Sequence, residues 1–114
     1  MAIVQVGDFK FYDTEGGYSL RSYSGSNKNV VIPSSCNGKP VVQLEGVYWG
    51  GLQITSVTIP SSVKVIGPSS FAYCSKLTSV VIPDSVTTIG YMAFHSCGSL
   101  ESVTIGKGVT RIGP

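Results

Sequence analysis

One phrase occurs three times in this chain of 114 residues, at a constant offset of 23 residues. The three copies are SVTIPSSVKVIG, SVVIPDSVTTIG and SVTIGKGVTRIG, at 56–67, 79–90 and 102–113. Laying residues 54–76 over 77–99 gives 11 identities in 23 positions without a gap. A period of roughly 20 to 29 residues is typical of solenoids that complete one coil per repeat. The sequence therefore predicts a stack of coils.

The apolar positions of each repeat fall where such a coil needs them. Val57 and Ile59, like their counterparts in the two later copies, are spaced by two and point to one face of a short strand. A second apolar pair, Val63 and Ile66, is followed by Gly67, whose missing side chain leaves room for a corner. A third corner carries a Phe and a Cys spaced by three, which favours one turn of a short helix.

The part of the chain before these three copies is less regular. Residues 29–46 are a loosened copy, in which the loop 37–40 indicates a turn insertion and Leu44 takes the place of Ile66. Residues 1–28 do not repeat, and their apolar residues alternate with polar ones, as in antiparallel strands joined by hairpin turns. We predict a single domain, with residues 1–28 as a β-hairpin cap on a solenoid of about 3.5 repeats at 29–114, the last one incomplete.

Composition excludes several classes of function. Eight Lys and Arg against six Asp and Glu give a net charge of +2, and the basic residues are scattered rather than clustered for phosphate binding. No apolar run approaches the roughly 18 residues that span a bilayer, and the first residues lack a signal segment. The sequence thus predicts neither nucleic-acid binding nor membrane insertion. As written it favours a cytoplasmic location, and as a fragment of a longer chain it would suit the cell surface or secretion.

Residues that often carry chemistry do not converge in this sequence. His95 is the only histidine and replaces Ala72 of the preceding repeat, so we interpret it as a surface residue. Cys74 and Cys97 share one repeat position and are expected to stack in neighbouring coils. A zinc site needs four ligands, and the chain offers only one further Cys and one His, so we expect both residues to be buried thiols. We predict no catalytic residue, no metal and no cofactor, and a protein that is not an enzyme.

The repeat also resembles a known family. The pattern Leu-x-x-Val-x-Ile-Pro-x-Ser-Val-x-x-Ile-Gly-x-x-Ala-Phe-x-x-Cys at 77–97 closely resembles the BspA-like, Treponema pallidum-type leucine-rich repeats, and the resemblance covers about residues 18–114. It implies a mainly β, right-handed solenoid. The LxxVxI strands would form a parallel sheet on the concave side, the VxxIG segments a second stack, and the AFxxC segment a convex corner with a short helical or 3-10 turn. Members of this family are commonly surface proteins used for adhesion and protein binding.

The function predicted from these features is non-catalytic binding of another protein, in adhesion or recognition. The solvent-facing columns of the concave sheet would give a flat, weakly charged contact surface. Its candidate residues are Ser56, Thr58, Ser79, Val81, Ser102 and Thr104. Aromatic and Arg side chains, which often anchor interfaces, add four residues at the corners. These are Tyr48, Tyr73, Tyr91 and Arg111.

Two alternative functions remain open at the level of the sequence. One is a small intracellular inhibitor, for example encoded by a mobile element, that binds and blocks a target protein. The other is a self-assembling structural protein, in which the open edge of the last repeat forms a homo-oligomer.

Overall fold

A computed structural model of the chain describes residues 3–45 and 53–113, which form twelve β-strands and no helix. The strands are β1 (Ile3–Val6), β2 (Phe9–Thr14), β3 (Gly17–Tyr23), β4 (Asn29–Val31), β5 (Ser35–Cys36), β6 (Lys39–Leu44), β7 (Ser56–Thr58), β8 (Val65–Ile66), β9 (Ser79–Ile82), β10 (Thr88–Ile89), β11 (Ser102–Ile105) and β12 (Arg111–Ile112). They wind into a solenoid of about four turns with a repeat spacing near 23 residues. The predicted fold class is confirmed.

Eight of the described strands form one long sheet, in the order β1-β2-β3-β6-β8-β10-β12, with β5 paired to β6 beside this path. β1, β2 and β3 pair antiparallel. From β3 onward each strand of the path pairs in parallel with the next. The sheet is therefore antiparallel from β1 to β3 and parallel from β3 to β12. The domain boundary at residue 28 stays a prediction.

A single apolar row crosses the long sheet from the cap to the last coil. Its members, paired strand to strand, are Val4, Phe11, Leu20, Leu44, Ile66, Ile89 and Ile112. The five from Phe11 to Ile89 are at most 4 % exposed. Directly paired residues share one face of a sheet, so the cap and the repeats fill one common core. The pairing of Leu44 with Ile66 also confirms the alignment predicted for the loosened copy.

The first strands of the repeats form a second stack, which is divided into two pairs. β4 pairs in parallel with β7, and β9 pairs in parallel with β11. The parallel arrangement predicted for these strands is thus confirmed within each pair, but the ladder does not run from β7 to β9. In the two middle strands the core-facing side chains are well covered, since Val57 and Val80 are 7 % and 3 % exposed.

The turn insertion predicted at 37–40 is a β-hairpin. β5 and β6 pair antiparallel, with Ser35 opposite Pro40 and Cys36 opposite Lys39. Asn37 and Gly38 between them have φ angles of 51° and 76°. Two successive left-handed residues make the tight turn that matches the twist of a hairpin, and Asn-Gly adopts it at the least steric cost. The extra residues are therefore accommodated in a surface hairpin.

The corner that carries the Phe and Cys residues differs from the expected short helical or 3-10 turn. Residues 68–73 and 91–96 form turns without helix. Phe71 N–H and Tyr73 N–H donate to carbonyls of the next coil at 2.8 and 2.7 Å, whereas Ala72 N–H donates backward to Ser69 at 3.2 Å. Because alternate N–H groups serve the neighbouring coil, a continuous helical ladder cannot form.

Backbone angles in the corner give a second reason for the lack of helix. Ser69 and Tyr73 have φ angles of 59° and 63°, and their counterparts in the next coil, Met92 and Ser96, have 56° and 59°. Left-handed residues interrupt a right-handed helix. Their recurrence in register shows that the repeat itself, rather than one local sequence, sets the shape of this corner.

Candidate protein-binding surface

The residues predicted on the concave sheet lie on the outward side of the second stack. Within the strand pairs, Asn29 is opposite Ser56 and Val31 is opposite Thr58. Ser79 is likewise opposite Ser102, and Val81 is opposite Thr104. We call these eight residues, the six predicted contacts with Asn29 and Val31, the hydroxyl face. Ser56 is half-buried and the other seven are exposed.

The hydroxyl face is uncharged and is made of short side chains. It offers five hydroxyl groups, one amide and two valines, and Val31 and Val81 are 68 % and 62 % exposed. Short and β-branched side chains have little rotamer freedom to lose when a partner covers them. The face can therefore supply hydrogen bonds and methyl contacts at a small entropic cost, without steering a partner by charge.

One end of the hydroxyl face is held by side-chain hydrogen bonds. The Asn29 Oδ1 atom accepts from Ser56 Oγ at 2.9 Å and from Thr55 Oγ1 at 3.2 Å. Thr55 Oγ1 also lies 3.2 Å from the Lys28 carbonyl oxygen. Farther along the face, within the described parts of the chain, the hydroxyl groups of Ser79 and Thr104 make no such bonds and remain available to a partner.

A cleft of about 250 Å³ crosses the hydroxyl face between β7 and β9. Ser56 and Thr58 line one wall, and Ser79 and Val81 line the other. The cleft lies where the ladder of the second stack is interrupted. The residues that line it carry hydroxyl and methyl groups and no titratable side chain.

The remaining predicted contacts lie elsewhere in the fold. Tyr73 and Tyr91 belong to the corner turns and are 53 % and 54 % exposed, with the Tyr73 ring in an edge contact to His95 at 5.5 Å. Arg111 is on β12 of the long sheet. Tyr48 falls outside the described residues. The structure therefore brings six of the ten predicted residues together and places Tyr73, Tyr91 and Arg111 apart from them.

A polar cluster on the long sheet was not predicted. The Arg21 guanidinium lies 4.9 Å from the centre of the Tyr12 ring and 3.9 Å from the Glu45 carboxylate. The Gln43 amide donates to Glu45, and Thr14 Oγ1 lies 3.4 Å from Gln43 Oε1. Tyr and Arg are frequent interface anchors. The sequence signal was weak, because Gln43 and Glu45 reach the cluster through the pairing of β3 with β6, in which Ser19 is opposite Gln43 and Leu20 is opposite Leu44.

The two stacked cysteines are poor nucleophiles. Burial raises the pKa of the Cys74 thiol to about 12, and the neighbouring Cys97 adds to this rise. Burial also raises the pKa of Cys97, against a smaller opposite effect of the hydrogen bond from the Cys74 backbone. Both groups are therefore protonated at neutral pH, and thiols react far more slowly than thiolates. Cys74 is buried as predicted, whereas Cys97 is half-buried and lies 3.1 Å from the Phe71 carbonyl oxygen.

Neither a metal-binding cluster nor a membrane-spanning helix occurs in the described ranges. Residues 3–45 and 53–113 contain no group of three or more His, Cys, Asp and Glu side chains that could hold a metal ion. The same ranges contain no helix with the length and apolar character needed to cross a membrane.

Comparison with known proteins decides the family. The family model of the BspA type leucine-rich repeat region matches residues 42–114, which is more than half of the chain. The chain belongs to the BspA-type leucine-rich repeat family. A search among curated proteins finds no significant match to this BspA-type chain.

Solved structures show the same BspA-type fold. A leucine-rich repeat protein of T. pallidum matches 96 % of this chain with 25 % identity and a TM-score of 0.72. A leucine-rich repeat protein from Bacteroides capillosus matches 98 % with 28 % identity and a TM-score of 0.58. The pneumococcal vaccine antigen PcpA, at 18 % identity over 95 % of the chain and a TM-score of 0.59, is similar in fold alone. The matches span 64 %, 71 % and 39 % of those three proteins, respectively.

Proposed function

We propose that this chain is a non-catalytic protein-binding module that docks its partner on the hydroxyl face. Leucine-rich repeat folds of the BspA type generally serve as protein-interaction scaffolds. The observation that carries the proposal is the arrangement of the two strand pairs, which present eight short uncharged side chains outward in register. Adhesion or recognition by such a module requires a shape that another protein can cover, and no reacting group.

The chemistry of the face favours a protein over a small molecule. The groups are spread along two rows of side chains, and the cleft that crosses them has a volume of about 250 Å³. Small-molecule sites are usually larger, roughly 300 to 1,000 Å³, and surround their ligand. Exposed Val31 and Val81 supply apolar contact area, while the neighbouring hydroxyls can pair with polar groups at the rim of a partner.

Substitution of the hydroxyl face tests this proposal. In a variant with Thr58→Glu, Val81→Glu and Thr104→Glu, three carboxylates would be desolvated on docking, so we expect at least a tenfold loss of affinity for a partner captured by the intact protein. All three positions are exposed, so the melting temperature should change by only a few degrees. The measurement is affinity capture followed by titration of the captured protein against both forms.

A control variant with the same change in charge distinguishes the effect of position from the effect of added negative charge. Ser34, Ser61 and Ser99 are exposed and lie outside the hydroxyl face, so a triple Glu variant at these positions should keep its affinity. Equal binding by wild type and the hydroxyl-face variant would refute the proposal. If Tyr73→Ala with Tyr91→Ala abolished binding instead, the corner would be the docking surface.

A further inference from the structure

A small pocket lies between the strands β2 and β3 and the first strand of the second stack, β4. Its volume of about 220 Å³ is below the roughly 300 Å³ at which small-molecule sites begin, and it suits a single side chain of a larger partner. Polar groups come from Asp8, Asn27 and Asn29, and apolar ones from Phe9, Tyr23 and Val31. We call this cavity the cap pocket. Asn29 and Val31 also belong to the hydroxyl face, so the two surfaces are continuous.

Hydrogen bonds and ring packing hold the walls of the cap pocket in place. The Ser24 N–H donates to the Asp8 carbonyl oxygen at 2.8 Å, which ties the turn after β1 to the loop after β3. The Tyr23 hydroxyl donates to the Asn27 carbonyl oxygen at 3.0 Å. The rings of Tyr23 and Phe9 lie with their centres 5.1 Å apart. The pocket is therefore formed in the free chain, which lowers the entropic cost of binding.

Asp8 gives the cap pocket a negative charge. Its side chain is exposed and makes no hydrogen bond or ion pair within residues 3–45 and 53–113. Among the described residues that line the pocket, no other is an Asp, Glu, Lys or Arg. Lys10 and Lys28, the basic residues next to the lining segments, do not line it. An unpaired carboxylate beside apolar walls favours a cationic group with an apolar stem.

Backbone carbonyl groups of β4 add further acceptors. The Lys28 carbonyl and the Ile32 N–H bond to β7. Backbone groups alternate along a strand, so those of Asn29 and Val31 point away from β7, toward the cap pocket. The Asn29 N–H is already used, since it donates to Asn27 Oδ1 at 2.9 Å. The carboxylate is thus accompanied by two carbonyl oxygens.

We propose that the cap pocket receives an arginine side chain of the protein that docks on the hydroxyl face. The inference rests on the proposed function for the partner, and on the pocket itself for the residue that enters it. Arginine has five N–H donors and no acceptor, which matches a carboxylate with neighbouring carbonyl oxygens. Its apolar stem can lie against Phe9 and Val31 while the guanidinium reaches Asp8. Arginine is also enriched at interfaces, whereas lysine is depleted.

A blocked peptide tests the pocket without the partner. Acetyl-Gly-Arg-Gly-amide, titrated into the isotopically labelled chain, should shift the backbone amide NMR signals of Asp8, Asn29 and Val31, with a dissociation constant of about 1 to 10 mM. The corresponding lysine peptide should bind several-fold more weakly, because a compact ammonium group lacks the planar fork of donors. The glutamine peptide, which is uncharged, should not bind measurably at the same concentrations.

Two matched substitutions locate the site. Asp8→Asn removes the charge and keeps the shape, so the dissociation constant of the arginine peptide should rise at least fivefold. Asp13→Asn makes the same change on β2, at a residue that does not line the pocket, and should alter the constant less than twofold. Thermal melts of both variants check that the fold is retained.

The outcomes for this pocket are separable from those for the hydroxyl face. An arginine peptide that fails to bind at about 20 mM, or binds Asp8→Asn as tightly as the wild type, refutes the arginine pocket whatever the hydroxyl face does. Equal affinity for the lysine peptide would overturn the assignment to arginine.

A captured partner provides the second readout. Asp8→Asn should lower its affinity at least fivefold, whereas Asp13→Asn should leave it unchanged, and a partner that tolerates both changes refutes the inference. If the partner were sensitive to Asp8→Asn but not to the three Glu substitutions on the hydroxyl face, the pocket would be supported and the proposed docking surface refuted.

Discussion

At the scale of single residues, positions that are equivalent in the repeat are not equivalent in burial. Phe71 and Phe94 stack with ring centres 5.4 Å apart and an interplanar angle of 6°. Phe71 is fully buried between coils, whereas Phe94 is half-buried. The sequence assigns both to one core position, and only their neighbours distinguish them.

This difference predicts unequal effects of truncation. Phe71→Ala should lower the free energy of unfolding by about 3 to 5 kcal/mol, as expected for a large buried side chain. Phe94→Ala should cost about 2 kcal/mol or less, because part of its ring is already in contact with water. His95→Ala, at an exposed position, should change stability by less than about 0.5 kcal/mol. Urea denaturation would compare the three, and equal costs for the two phenylalanines would contradict the burial difference.

At the scale of elements, the coils approach each other closely at the glycine that ends each VxxIG segment. A Cβ atom at Gly90 would lie 2.5 Å from the Pro68 nitrogen, and one at Gly113 would lie 2.6 Å from the Tyr91 nitrogen. Neither glycine has a φ angle in the left-handed region. The corner therefore requires glycine for space between neighbouring coils and not for backbone conformation.

Alanine substitution at this corner should separate coils that now touch. Gly90→Ala should destabilise the protein by about 2 kcal/mol or more, because backbone atoms of the preceding coil must move. Gly98→Ala is the matched control, since no atom beyond its chain neighbours lies within 4 Å of its added Cβ and its φ angle lies outside the left-handed region. That control should be neutral or slightly stabilising. Thermal melts followed by circular dichroism would show the contrast, and similar melting temperatures for the two variants would argue against a close contact.

At the scale of the whole molecule, the cap and the coils share one sheet and one core. β3 of the cap pairs with β6 of the solenoid, and the buried row passes through Phe11 and Leu20 into Leu44 without a gap. A repeat protein built in this way gains stability from each interface between neighbours. The antiparallel cap therefore acts as the first interface of the stack.

Truncation of a buried side chain in the cap should therefore lower the stability of the coils as well. Phe11→Ala should cost about 3 to 5 kcal/mol, and native-state hydrogen exchange should show a similar loss of protection in β2 and in β8. Lys10→Ala changes the neighbouring half-buried residue and should leave protection in β8 nearly unchanged. Loss of protection confined to β1, β2 and β3 would mean that the cap unfolds as a separate unit.

The sequence by itself determined the period, the identity of the core-facing residues and the parallel stacking of coils. These features are local and periodic. The spacing of Val57, Ile59 and Ile66 alone predicts that they are buried, and each copy has the same spacing. The candidate face was predictable for the same reason, because residues between core positions on a strand must point outward. The alignment of Leu44 with Ile66 needed no more than this pattern.

Only the tertiary structure decided the features that depend on a neighbouring coil. The corner is not helical because the N–H groups of Phe71 and Tyr73 donate to carbonyls of the next coil. The sequence of a single repeat does not show whether an N–H group bonds within its own corner or to a neighbouring coil. The cluster around Arg21 and the half-burial of Phe94 likewise depend on which strands lie beside them. Spacing along the chain fixes which way a side chain points, but packing against other coils fixes what it meets there.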